Sequence, residues 1–227
     1  SRRQRQMCIR DSCQDTGMTL VFVEVGQDVH FVGGDLKEAI NEGVAQGYVE
    51  GYLRKSVVAE PLFNRKNTQN NTPAIIYIDI VPGDKVEINV ELKGFGSENK
   101  SDVAMLVPAD GVEGVKNAVL EIVKHAGPNP CPPIVLGVGI GGTMDQAAVM
   151  SKKALLRDIS TPHKDPEYAK LEEEILEMVN KTGIGPQLGG TTTCIGVNIE
   201  WGATHIAGLP VAVTIMCHAA RHKHVVL

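Results

Sequence analysis

The chain is poor in aromatic residues: among 227 residues there are one Trp, four Tyr and four Phe. Proteins that read single strands of nucleic acid stack bases on aromatic rings and track the phosphates with a basic groove. Few rings are available for the first task, and a net charge of −5 opposes the second, so nucleic acid is not an expected partner. The sequence also lacks an apolar run approaching the length of a membrane span and shows no secretory signal, so no membrane association is expected. Its five cysteines include no Cys-x-x-Cys pair. An odd number without a tight framework suits a reducing cytoplasm better than a disulfide scaffold.

What the chain has in quantity is glycine, 24 residues, and an even spread of apolar positions that favours one core. Thr19–Val25 and Ala74–Val81 are rich in branched apolar residues, Val86–Leu92 alternates, and Pro133–Gly139 and Leu209–Met216 are short apolar runs, so all five read as strands. Helices are expected from Asp35 through Lys55, over Val115–His125 behind a capping box of Asp110 and Glu113, over Met144–Arg157 behind Thr143 and Gln146, and from Asp165-Pro166 to Gly183. The intermixing of strands and helices predicts an α/β fold, with mixed α+β as its variant: a single layered domain of mixed sheet flanked by helices.

Residues 1–12 stand apart. Ser1 to Gln6 are almost wholly Arg and Gln, and Met7-Cys8-Ile9-Arg10-Asp11-Ser12 resembles the translation of a transposase adapter. They are expected to be a non-native extension, with an N-terminally truncated domain occupying residues 13–227.

Three cysteines sit in unusual settings: Cys13 in Cys-Gln-Asp-Thr-Gly, Cys131 in Asn-Pro-Cys-Pro-Pro, and Cys217 in Thr-Ile-Met-Cys-His-Ala-Ala-Arg-His. A scattered cysteine is usually a small buried hydrophobe, and for Cys8 and Cys194 that reading stands. The prolines around Cys131 exclude it from a helix interior or a central strand. Single thiolates drawn from three distant segments suit a metal centre that keeps a coordination position open for substrate.

Other motifs carry two readings each. Gly137-Val-Gly139-Ile-Gly-Gly142 follows an apolar run and precedes a capped helix, as a dinucleotide fingerprint does, but the segment around Asp158 reads as loop rather than as a second strand with an acidic end. The glycines are therefore expected to form a close-approach turn for an anionic group or a cluster edge. Gly94-Phe-Gly96-Ser-Glu-Asn-Lys100 is either a plain turn or a set of exposed amides for a carboxylate. Asn64–Pro73 reads as a binding loop or an interface segment, and the acidic residues of Glu167–Lys181 as a solvated helix face. Of the histidines near the C-terminus, His205 stands out because the strand after it leads directly to Cys217.

Cys13–Gly17, Asn129–Pro133, Gly-Ile-Gly-Gly-Thr at Gly139–Thr143, Gly-Ile-Gly-Pro-Gln-Leu-Gly-Gly at Gly183–Gly190, and Thr-His-Ile-Ala-Gly-Leu-Pro-Val-Ala-Val at Thr204–Val213 occur together and in this order. In this the chain resembles the alpha subunit of the iron-sulfur hydro-lyases, the family of class I fumarate hydratase and L(+)-tartrate dehydratase. The resemblance implies a 4Fe-4S cluster held by Cys13, Cys131 and Cys217. It implies substrate carboxylate contacts from Gln14, Arg54 and Gly96, and handling of the proton on the departing hydroxyl by Asp15 and His205. The chain ends before the region that supplies the catalytic base in single-chain members, so a beta subunit is the implied partner, in a higher oligomer of alpha-beta pairs. Fumarate hydratase is the expected activity, with a dicarboxylate substrate; tartrate dehydratase and a noncatalytic nucleotide- or cluster-binding module are the alternatives.

Overall fold

Branched and apolar side chains fill Met18–Gly26, and in the computed structural model of this protein, which describes residues 15–186 and 189–227, this segment is the central strand β1. The described residues form two compact units, one from residues 15–95 with 219–227 and one from residues 96–218.

In the first unit β1 pairs in parallel with β2 (Ile75–Val81) and antiparallel with β3 (Val86–Lys93), which in turn pairs antiparallel with β8 (His222–Val226). Helix α1 (Leu36–Glu50) is capped by Asp35, whose carboxylate accepts the Glu38 amide at 2.9 Å. Val21, Val23 and Val25 of β1 pack with Ile40 and Val44 of α1 and with Val86 and Ile88 of β3. The expected helix through Lys55 stops five residues early: Gly51 follows Glu50, and Tyr52 takes a left-handed φ of 52°, which ends the helical ladder.

In the second unit the strand order is β4 (Asp102–Leu106), β7 (Leu209–Cys217), β5 (Ile134–Gly141), β6 (Cys194–Gly202), with β5 and β6 parallel and the other pairs antiparallel. A single turn, α2 (Phe95–Glu98), precedes β4. Helices α3 (Gly111–Ala126) and α5 (Pro166–Asn180) cover one face, where Val119, Val123, Ile175 and Val179 meet Leu136, Val138, Ile199 and Val213. Side chains of this kind contribute about 1.5–3 kcal/mol each when fully buried. The other face of β5 carries α4 (Met144–Ala154). A side chain at Gly137 would place its Cβ 2.0 Å from the Ser151 carbonyl oxygen, and one at Gly139 would lie 2.0 Å from that of Ala147. These two glycines therefore exist so that α4 can lie flat on the strand.

The α/β class and the five expected strands are borne out, and β4, β6 and β8 are additional. The Asp110 capping box is not formed: Asp110 closes a 3-10 turn, Pro108–Asp110, and its carboxylate accepts the Val107 amide instead. Thr143 does take its expected partner, its amide donating to Gln146 Oε1 at 3.1 Å. On α5 the acidic residues divide. Glu173 and Glu177 face solvent, whereas Glu172 is buried and accepts from Arg157, from the His163 amide and from the Ile199 amide, so it ties the helix to β6.

Candidate active site

Asp15 is held from three directions in the first unit. Its Oδ1 accepts the Gly17 amide and its Oδ2 the Phe95 amide, both at 2.9 Å, while Arg221 donates to its main-chain carbonyl at 2.8 Å. Gly17 has φ 64°, and a Cβ there would lie 1.9 Å from the Lys93 carbonyl oxygen, so the chain passes this close to β3 only because the residue is glycine. The next residue, Thr16, donates to the Arg54 carbonyl at 2.6 Å, and Tyr48 of α1 donates to the Thr16 carbonyl at 3.1 Å. Asp15 and Arg54 are thereby drawn to one region of this unit, with the Arg54 side chain exposed and available to a carboxylate.

The polar segment Asn64–Pro73 is partly core. Asn71, with φ 62° and fully buried, accepts from the amides of Ser56 and Val57 and donates to the Gly17 carbonyl. Asn71 is an internal tie between the segment after Arg54 and the turn that holds Asp15, while the other residues of the segment stay exposed or half-buried.

In the second unit the strand register brings Cys131 and Cys217 to the same end of one sheet. Cys217 pairs with Ile134, the first residue of β5, and Cys131 precedes that residue by three. His218 Nδ1 lies 3.4 Å from the Cys131 carbonyl oxygen, which links the two segments. Cys131 is exposed, Cys217 is half-buried, and Cys131 takes φ 60°, a left-handed conformation that a residue with a side chain adopts only under constraint. Cys194 differs in every respect. It is buried, donates to the Gly196 carbonyl, and burial pushes its thiol up to about 12, so it is a protonated, inert group at neutral pH.

The accessible thiols of Cys131 and Cys217 fit a thiolate-bound metal group, whereas the Cys194 thiol is shut inside the core. Cys13 and Gln14 lie outside the described residues, as do residues 187 and 188 of the Gly183–Gly190 motif. Among the described residues no cluster of three metal-ligating side chains occurs.

Gly96 opens the second unit at the start of α2. A Cβ at this position would meet nothing within 4 Å and its φ is unexceptional, so the packing of this chain gives no reason for glycine there. The turn itself is well anchored: Glu98 pairs with Lys152 of α4 at 2.6 Å, and Ser101 accepts the Ile215 amide at 3.0 Å.

His205 occupies the other end of the sheet from Cys217. Strand β7 has nine residues, so its ends lie about 26 Å apart at roughly 3.3 Å per residue. The loop before it is fixed in place by Thr204, whose hydroxyl donates to the Gly142 carbonyl at 3.1 Å, and by the Gly142 amide donating to Ala203 at 3.1 Å. Within its own unit this length separates His205 from the Cys217 end of the sheet. The turn at Gly141 and Gly142 lies at the His205 end as well, so it is not a cluster edge near Cys131 and Cys217. His205 Nδ1 accepts the Ala207 amide at 3.2 Å, which assigns the ring proton to Nε2 and leaves Nε2–H as an outward donor.

Lys93 escaped the sequence reading. Strand alternation puts it on the polar face of β3 with Glu87, Asn89 and Glu91, yet Glu91 and Lys93 are each only 1% exposed. The one signal was its position directly before Gly94-Phe-Gly96.

Comparison with known proteins supplies the context for this geometry. The sequence model of the fumarate hydratase (fumerase) family matches residues 6–226. A protein of Methanocaldococcus jannaschii, provisionally named L(+)-tartrate dehydratase subunit alpha, is 46% identical over 215 residues, covering 92% of this chain and 75% of its own. L(+)-tartrate dehydratase subunit alpha of Escherichia coli is 39% identical over 218 residues, 93% of this chain and 71% of its own, and that of Shigella boydii is 38% identical with the same coverage.

Proposed function

The chain belongs to the fumarate hydratase (fumerase) family of hydro-lyases, and from that premise we propose that it is the cluster-binding alpha subunit of a two-subunit enzyme that adds water reversibly to fumarate, giving L-malate. The observation that carries the reading is the meeting of accessible Cys131 and Cys217 at one end of the second sheet while Cys194 stays buried and protonated.

Cys13, Cys131 and Cys217 would hold a 4Fe-4S cluster, which supplies a Lewis acid with an open coordination position. Arg54 grips one substrate carboxylate through two parallel hydrogen bonds, and Gln14 and the Gly96 amide take the remaining carboxylate oxygens. The Asp15 carboxylate has a fixed amide on each oxygen. Its remaining lone pairs are oriented before substrate arrives, and it exchanges the proton on the departing or entering hydroxyl. A base on a beta subunit removes the C3 proton, in keeping with the subunit names of the relatives. The setting is cytoplasmic; among the described residues no helix is long and apolar enough to cross a membrane.

His205 takes part at a site on another copy of the chain. The length of β7 keeps it from the Cys131 and Cys217 end of its own unit, and its Nε2–H donor points outward from an exposed loop. This assignment requires the higher oligomer of alpha-beta pairs.

Tartrate is the second reading, favoured by the names of the relatives at 46% and 39% identity. Co-expressed alpha and beta subunits, reconstituted anaerobically, should hydrate fumarate with a larger kcat/KM than that for dehydration of L-tartrate. The reverse ratio selects tartrate, and turnover of neither discards the hydro-lyase reading.

A further inference from the structure

We propose that Lys93 is a positioning residue that acts on Asp15 through the single peptide joining Gly94 to Phe95. The Lys93 ammonium donates to the Gly94 carbonyl oxygen at 3.1 Å, and the amide on the other side of that same peptide, the Phe95 N–H, donates to Asp15 Oδ2 at 2.9 Å. A cation on a carbonyl oxygen draws electron density along the amide and makes its N–H a stronger donor; chained hydrogen bonds of this kind strengthen one another by roughly 10–30% per bond. The ammonium also fixes the plane of the peptide, and with it the direction in which the N–H points. The Gly17 amide holds the other oxygen of Asp15 at 2.9 Å, so the carboxylate is clamped between two amides; the peptide joining Thr16 to Gly17 takes the neutral Tyr48 hydroxyl on its carbonyl, so among the described residues only the Phe95 amide is under the control of a charge.

The position of Lys93 supports this role. A lysine side chain 1% exposed has surrendered its hydration, which strand propensity and packing do not require. Glu91, equally buried and two residues back on the same face of β3, places a carboxyl group in the same layer. No neighbouring residue other than glycine lies between the lysine and the peptide it holds, so the relay is as short as a side chain can make it.

The inference rests on the reading of Asp15 as the group that handles the hydroxyl proton, and its test has an arm that does not. In the full chain, amide hydrogen exchange at Phe95 should be about tenfold faster in Lys93→Met, with β1 and β3 amides unchanged, because one local hydrogen bond is weakened without global opening. Lys93→Arg, which keeps the charge, should restore slow exchange. In the assembled enzyme Lys93→Met should lower kcat by roughly tenfold or more and leave KM nearly unchanged, while in an Asp15→Asn background the same substitution should cost little further. Phe95→Pro, which deletes the N–H at a first helical position where proline fits, should reproduce the kcat loss with Lys93 intact.

Unchanged exchange at Phe95 in Lys93→Met overturns the relay, as does an Arg variant that behaves like Met. A full additional loss in the Asp15→Asn background also overturns it, because Lys93 would then act by another route. If the assembled enzyme turns over neither fumarate nor tartrate, the functional reading fails and the exchange measurement still decides the relay. Should Lys93→Met fail to fold, Phe95→Pro and Lys93→Arg decide it by the same criteria.

Discussion

Asn71 Nδ2 donates to the carbonyl oxygen of Gly17 at 2.9 Å across 54 residues of sequence, and Asn71 is fully buried. Its Oδ1 accepts two further amides, those of Ser56 and Val57. One side chain therefore closes the segment after Arg54 onto the turn that carries Asp15. Removing it leaves the buried Val57 amide without its partner, at a cost of about 1–3 kcal/mol for an unsatisfied group, takes the same acceptor from the exposed Ser56 amide, and leaves the Gly17 carbonyl with Tyr48 as its donor at 3.3 Å. Asn71→Ala should lower Tm measurably and unfold at lower denaturant. Because the left-handed φ of 62° is tolerated by Asn and penalised in Ala, Asn71→Gly should lose less than Asn71→Ala.

The glycines of β5 and that of α2 should respond in opposite ways. At Gly137 and Gly139 an added Cβ meets the backbone of α4 at 2.0 Å, so either Gly→Ala change must push the helix off the sheet, and overpacking of this kind costs about 1–3 kcal/mol or more. At Gly96 the space is open. Gly96→Ala should leave Tm unchanged and raise KM for the dicarboxylate. A Gly96→Ala enzyme with unaltered KM would separate this turn from the substrate.

Each part of this was legible in the sequence to a different degree. The capped helix behind Thr143 and the branched runs of β1 and β5 were plain, because local propensity and tertiary packing agree there. Strand β6 was not, since Gly196 and Asn198 break its apolar pattern; the structure shows Asn198 donating to the carbonyls of Ala154 and Arg157, a purely tertiary role. The pairing of Cys131 with Cys217 could be suspected from motif context, whereas the end of the sheet on which His205 falls depends on strand direction and register, which no local pattern encodes. Lys93 and Glu172 were hidden for the same reason: burial of a charge is decided by distant partners.

Iron binding should divide the cysteines by their accessibility. Anaerobically reconstituted protein is expected to show thiolate-to-iron absorption that Cys131→Ser and Cys217→Ser severely weaken. Cys194→Ser should retain it, because a thiol pushed up to about 12 and bonded to the Gly196 carbonyl offers no thiolate at neutral pH. Full absorption in Cys131→Ser would remove that residue from the ligand set. Activity of the assembled enzyme should fall in air and return with ferrous iron and thiol, and indefinite stability in air would count against an open coordination position.

The separation of His205 from Cys217 along β7 yields a test by complementation. Asp15→Asn and His205→Asn should each lower kcat by roughly 10²–10⁴-fold with the cluster absorption intact, since general acid–base assistance is of that size and neither residue binds iron. If each His205 serves the site of a neighbouring copy, one copy carrying Asp15→Asn can still lend its His205 to a copy carrying His205→Asn. In a symmetric dimer formed at random from the two variants, half the assemblies are mixed and one site in each is whole, so about a quarter of the parent activity should return. Mixing the variants after assembly, without subunit exchange, should restore nothing. If co-expressed variants remain as inactive as either alone, His205 does not act across copies, and the distance along β7 then removes it from the chemistry at Cys131 and Cys217 altogether.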